Sequence, residues 1–187
     1  MLGRRKTSGA AETASSAGGN RLKRLAVSID ALADKDERHI HRAHEIARIR
    51  RAAAGELHIL CAAFVDRLNG MLTRGLVVLD PPVFSEDAYR DDGANLLQIH
   101  VRGRILQVLF RATPELVSTE DFRMPYILSG TVRAFNQALL DQDLIEEQLL
   151  FYTFEKRQQM WRFFDARTYR SGPFDQDYLV SLMEQLV

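Results

Sequence analysis

From Arg21 to about Leu72 the chain has no proline, and its apolar residues recur with a helical period. Leu25, Ile29, Leu32, Asp36, His39, Ala43, Ile46, Arg50, Ala53, Leu57, Leu60, Phe64, Arg67 and Met71 follow one another by alternate steps of four and three, and ten of the fourteen are apolar. That spacing draws one stripe along a helix and predicts a heptad seam. Asp36, His39 and Arg50 interrupt it. Asp34 has the chemistry of an N-cap, with Asp36 and Glu37 in the turn beyond it, where acid complements the helix dipole. The region is therefore expected either as one long helix or as a short and a long helix broken near 33–36. Asn69-Gly70 and Gly75 supply the stop.

After Gly75 the pattern shortens to strand-like runs separated by turn residues. GLVVLD, ending at Asp80, is stopped by Pro81-Pro82, and residues 89–93 read as a loop. The clearest hairpin is Asn95–Arg111 with Arg102-Gly103 at its tip. In that register Val101 faces Arg104, Ile99 faces Leu106 and Leu97 faces Val108, which puts one apolar row on one side. His100–Ile105, Gln98–Gln107 and Leu96–Leu109 make the wetter side. Arginine is not a favoured first turn residue, so a four-residue loop is the alternative. Tyr126–Phe135 reads as strand, and a strand is expected from about Leu144 to Phe154, although residues 136–150 have a helical composition. A polar turn over 155–158 leads to a strand at Met160–Asp165. Ser171-Gly172-Pro173 reads as a chain reversal. Asp175 can cap a final helix, Gln176–Leu186, with Leu179, Met183 and Leu186 on one side and Leu182 adjacent.

These elements predict an α+β fold: a disordered tail over 1–20, a long helical region with coiled-coil spacing over 21–74, and a domain over 75–187. The domain is expected to hold an antiparallel sheet of four to six strands and a C-terminal helix. The tail is small, polar and rich in Gly, Ser and Ala, too poor in apolar area to offset the entropy of ordering. No run of about 18 apolar residues exists, so no membrane span is expected. The basic N-terminus has no apolar stretch after it, so no secretory signal is read. A single cysteine, Cys61, excludes an internal disulfide and points to the cytoplasm.

The zero net charge hides an asymmetry. Residues 1–74 carry 14 Lys and Arg against 8 Asp and Glu, and residues 75–187 carry 11 against 17. A basic half can meet an anionic surface, an acidic half or a second copy. The stretch DERHIHRAHEIARIRR, Asp36–Arg51, holds three of the five histidines. His41 and His44 at i,i+3, with Glu37 one turn before, have the spacing of metal ligands. A closed site needs four, no Cys/His cluster supplies the rest, and Arg48 repels a cation. No metal or cofactor is expected, and a solvated helix face with i,i+4 ion pairs is the simpler reading. Arg38, Arg42, Arg48, Arg50 and Arg51 are candidate anion contacts, interrupted by Glu37 and Glu45.

The acidic pairs Asp91/Asp92, Asp141/Asp143 and Glu146/Glu147 lack the cleft that paired catalytic carboxylates need. Cys61, in an apolar helical run, reads as a buried small hydrophobe. FYTF and MWRFF, with Arg157 and Arg162, have the make-up of a base-stacking platform, but sheet core explains them better. Arg167, Tyr169 and Arg170 precede a capped helix start that could hold an anion. Walker loops, dinucleotide-binding glycines, nucleophile elbows, HExxH and CxxC are absent, and no catalytic residue is assigned.

Three functions follow. The first is a non-enzymatic interaction or scaffold protein, a homo-oligomer or a binder of a helical partner, with Leu25, Ile29 and Leu32 in the contact. The second is a small-molecule or enzymatic pocket in a curved sheet. The third is anion or nucleic-acid binding by the basic helical half.

Overall fold

The structure, a computed structural model, describes residues 10–120, 122–135, 146–154 and 158–187. It is α+β. Among the described residues, helix α1 (Ala10–Asn69) precedes seven strands: β1 (Val77–Asp80), β2 (Asn95–Val101), β3 (Arg104–Val117), β4 (Tyr126–Phe135), β5 (Glu146–Phe154), β6 (Gln159–Asp165) and β7 (Arg170–Pro173). Helix α2 (Gln176–Leu186) follows. The chain divides into two units, residues 1–45 and residues 46–187.

In the first unit the helix runs through 33–36 without a break. Asp34 is interior to α1 and does not cap a second helix; without Pro or paired Gly at that point, nothing interrupts the hydrogen-bond ladder. Of the tail expected over 1–20, residues 1–9 lie outside the described residues, and the remainder from Ala10 belongs to α1.

In the second unit the strands pair in chain order, β1-β2-β3-β4-β5-β6-β7, every pair antiparallel. The β2–β3 register is the one that the apolar alternation requires: Val101↔Arg104, Ile99↔Leu106, Leu97↔Val108. The two-residue turn has both central residues in the left-handed region, Arg102 at φ 46° and Gly103 at φ 81°. That is the turn whose twist matches a hairpin, and the cross-strand pairs hold Arg102 in it despite its Cβ.

The sheet has more strands than the four to six expected. The strand missed is β7. Its Ser-Gly-Pro sequence suggests a reversal, but an edge strand tolerates a terminal proline, and Gly172 lies against the Phe163 ring where a Cβ would sit 2.8 Å from Cε1. Strand β5 begins at Glu146; residues 136–145 and 155–157, which include the expected polar turn, lie outside the described residues.

One face of the sheet carries the main core. Leu97, Ile99, Leu106, Val108, Leu128, Val132, Leu150, Tyr152 and Trp161 meet Ala53, Ala54, Leu57, Cys61, Phe64 and Val65 of α1 and Leu179, Leu182, Met183 and Leu186 of α2. The seam residues Ala53, Leu57, Leu60 and Phe64 thus pack on the chain's own sheet, while Arg67 and Met71 are exposed. Trp161 Nε1 donates to the Ala53 carbonyl at 2.8 Å, and Tyr152 donates to Glu56 at 3.2 Å. Asn69 closes the helix: its side chain exchanges two 2.8 Å bonds with the Val77 backbone, so the last residue of α1 pairs with β1 as a strand neighbour would. Phe122, Tyr126, Phe151 and Phe164 form a second cluster. Strand alternation sets Phe151 and Phe164 on the face opposite Tyr152 and Trp161. Asp175 caps α2 by accepting from Tyr178 N at 3.0 Å.

Gly130 lies opposite Phe110 in the β3–β4 pair. A Cβ there would collide with the Leu109 carbonyl oxygen and sit 2.7 Å from Phe110 Cβ, so only glycine fits.

Candidate functional site

Two places carry polar or apolar groups without an obvious role in the core: an exposed stripe on α1 and a cleft at Arg50.

Every side chain from Asn20 to Glu45 is exposed. Leu22, Leu25, Ile29 and Leu32 follow one another by three, four and three residues, which aligns them on one helical stripe. Leu25 is 56% exposed, Ile29 55% and Leu32 59%. His39, His41, His44 and Glu37 are exposed as well. Among the described residues no three His, Cys, Asp or Glu side chains are grouped to hold a metal ion. Arg38 donates through Nε to the Asp34 carbonyl at 2.9 Å, and no salt bridge forms within residues 20–45 among the described residues.

The five candidate anion contacts separate. Arg38, Arg42, Arg48 and Arg51 are exposed. Arg38 and Arg42, one turn apart, lie in the first unit, and Arg48 and Arg51 lie in the second. Arg50 is turned inward, its side chain 13% exposed. Its Nε donates to Ile127 O at 3.2 Å and its Nη2 donates to Thr113 O.

The reason lies in the sheet. Pro114 has no N–H to give the β3–β4 ladder, and the pairing shifts between Ala112↔Leu128 and Val117↔Tyr126. The β4–β5 register also shifts between Tyr126 and Leu128. Ile127 therefore falls outside both ladders while its side chain is wholly buried. Buried carbonyls left by a bulge need donors, and the guanidinium fork serves two at once.

The third arm of the fork, Nη1, stands 3.9 Å from Asp91 Oδ1. Tyr89 lies beside Asp91. Burial first, and then the Asp91 carboxylate, push the Tyr89 phenol above its usual pKa against the opposing pull of Arg50, so it stays protonated. Arg50 and Asp91 border an open cleft of about 510 Å³, lined also by Asp92, Arg111, Thr113 and Pro114. A smaller cleft of about 320 Å³, lined by Ala54, Phe84, Tyr89, Leu97 and Phe110 among others, is more apolar. The first cleft can accept a small polar group, but its buried cation is already engaged with two carbonyls.

The remaining candidates take structural places. Cys61 is buried, and burial pushes its thiol up to about 12. His58, which nothing in the sequence singled out, is buried with Nε2 2.9 Å from Pro81 O and its ring against Phe84. Phe151 stacks on Phe122 at 4.4 Å, and Trp161 and Phe164 are buried, so these rings offer no open platform. Glu147 pairs with Arg133 at 2.8 Å. Asp141, Asp143 and Arg157 lie outside the described residues. Ahead of α2, Asp165 accepts from Arg167 N and Thr168 Oγ1 and closes the turn before β7; these bonds hold its carboxyl below the usual range.

Two signals in the sequence mark the Arg50 clamp: an arginine at an interior seam position, and a proline in a strand run. Neither names the other. No family model matches the chain, and no curated protein or solved structure is significantly similar to it. No helix among the described residues is long and apolar enough to cross a membrane.

Proposed function

We propose that this chain is a non-enzymatic interaction protein of the cytoplasm that self-associates through the first half of α1, with Leu25, Ile29 and Leu32 in the contact. One observation carries the reading: four large aliphatic side chains form a continuous exposed stripe on a helix whose every described neighbour up to Glu45 is also exposed. A helix in water draws most of its stability from packing an apolar face. Fully covering one Leu or Ile side chain is worth about 1.5–3 kcal/mol. The later seam residues, Leu57 and Phe64, are already covered by the sheet, so the earlier ones are the apolar face left for a partner.

The test is light scattering on the full chain, wild type and Ile29→Asp/Leu32→Asp. A mass above the monomer that falls in the variant, with the sheet's circular dichroism unchanged, supports the reading. A wild-type chain that is monomeric at high micromolar concentration ends it, as does a variant that unfolds without first dissociating.

The second reading, a small-molecule pocket, is favoured by the 510 Å³ cleft lined by Arg50, Asp91 and Arg111. It ranks lower because Arg50, the strongest recognition group there, holds the bulge. Anion or nucleic-acid binding through Arg38, Arg42, Arg48 and Arg51 ranks third, since Glu37 and Glu45 interrupt these residues and the fifth, Arg50, is engaged with backbone carbonyls.

A further inference from the structure

We infer that the partner of the α1 stripe is a second copy lying parallel and in register, with Lys35 of each helix set against Asp36 and Glu37 of the other. This rests on the self-association reading and specifies its geometry. The stripe defines the heptad. Leu22, Ile29 and Asp36 take its a positions, and Leu25, Leu32 and His39 take d. All lie in the exposed segment of the first unit. The g positions are then Arg21, Ser28, Lys35 and Arg42, and the e positions are Ala26, Ala33 and Ile40.

The two flanks differ in charge. Three of the four g residues are cations and none is an acid, whereas the e residues are all uncharged. Beyond e lie the b positions Lys23, Asp30 and Glu37. In any antiparallel pair g faces g, so every register sets cations against cations with no acid to relieve them. In a parallel pair g faces e, which removes that repulsion; the two Asp36 carboxylates then meet across the a layer with both Lys35 ammoniums beside them. The a position Asp36 then enters a hole lined by the partner's Leu32, Lys35, Asp36 and His39. The partner's Lys35 is the cation adjoining that carboxylate, and Glu37 at b stands at the same height on the flank it faces. A polar residue at one a position is a device that fixes register at some loss of affinity. Asp36 interrupts an otherwise apolar a row and occupies that role.

The two geometries give opposite signs for one substitution. Lys35→Glu places an acid against Asp36 and Glu37 of a parallel partner, and association should weaken about tenfold. The same change in an antiparallel pair overlapping over residues 22–43 puts an acid into the cationic g–g row, beside Ser28 and between Arg21 and Arg42 of the partner, and should strengthen association. Within one helix, the introduced carboxylate gains a favourable neighbour in Arg38 three residues on, so weaker helix formation does not explain a loss. Adding Asp36→Lys to Lys35→Glu restores a pair of opposite charges across a parallel interface and should recover most of the affinity.

The experiment is sedimentation equilibrium on the full chain for wild type, Lys35→Glu and Lys35→Glu/Asp36→Lys, with helicity followed by circular dichroism. Energy transfer between a donor and an acceptor of short transfer radius, carried on Asn20→Cys of separately labelled and mixed chains, provides an independent readout. The native Cys61 is buried and does not compete for the label. A parallel pair brings the two labels alongside. An antiparallel pair overlapping over residues 22–43 sets them about 35–40 Å apart along the axis, at 1.5 Å per residue. Weakening, recovery and efficient transfer together support the inference. A stable dimer that Lys35→Glu strengthens, leaves unchanged or shows with poor transfer overturns the parallel geometry and leaves self-association standing. A monomeric wild type overturns both.

Discussion

Replacing Arg50 tests whether its role is to satisfy the bulge that Pro114 creates. Arg50→Met keeps most of the aliphatic stem and removes the fork. Two carbonyls, Thr113 O and Ile127 O, lose its donors. Hydrogen bonds to a charged partner contribute about 1.5–3 kcal/mol each. The adjoining cleft admits water, which offsets part of the loss, so the low end applies and the pair together are worth about 2–4 kcal/mol. The Asp91 contact adds little: at 3.9 Å, with the carboxylate 35% exposed, solvent screens it to about 0–1 kcal/mol. For a chain of this size the melting midpoint should fall by roughly 5–15 °C. Arg50→Lys keeps the charge, but a single ammonium cannot fork to both carbonyls, so it should recover less than half of the loss. Asp91→Asn should stay near wild type. The assay is thermal and urea unfolding followed by far-ultraviolet circular dichroism. The reasoning is refuted if Arg50→Met lies within about 0.5 kcal/mol of wild type, the scale of an ordinary surface change. It is also refuted if Arg50→Lys recovers the whole loss, since charge rather than the fork would then be what the site needs.

Other outcomes follow from single contacts. Trp161→Phe removes the donor to the Ala53 carbonyl and leaves a small void, and should cost about 1–3 kcal/mol in urea unfolding; no change would mean that the bond does not tie α1 to the sheet. Gly130→Ala should be destabilising enough to prevent isolation of folded protein, because the added carbon meets backbone rather than a movable side-chain end; a folded variant would show that the strands can separate there. Cys61 should resist a maleimide until the protein is unfolded, and prompt labelling of native protein would contradict its burial. Its raised pKa also has a sign. The unfolded thiol ionises near 9 and the folded one near 12. Between those values the unfolded state binds fewer protons, so this group's contribution to stability is intact below pH 9 and lost as pH rises towards 12. A Cys61→Ala variant should lack that alkaline component relative to wild type.

Much of the fold is legible along the chain because its period changes with its structure. The 3.6-residue recurrence from Leu25 to Phe64 requires a helix, and the two-residue recurrence on either side of Arg102-Gly103 requires a hairpin in one register, since a shift by one residue would turn Leu97, Ile99 and Val101 to the wrong face. Asp175 and the four apolar residues after it specify α2 in the same local way. What such periods cannot say is what covers a face. Leu32 and Leu57 both lie on the seam, yet one is exposed and the other is wholly buried. The sheet that buries Leu57 is assembled from strands up to about a hundred residues away, as the Trp161–Ala53 bond shows. Ser171-Gly172-Pro173 has the composition of a turn and becomes an edge strand because Asp165 and Phe164 present pairing partners to Arg170 and Ser171. Arg50 belongs to the same class. Along the sequence it is a charge that interrupts an apolar stripe beside four other arginines. Only the approach of two strands that pair irregularly around Pro114 and Ile127 gives that charge its carbonyls, because the unmet need for donors arises from pairing between distant segments and has no local signature.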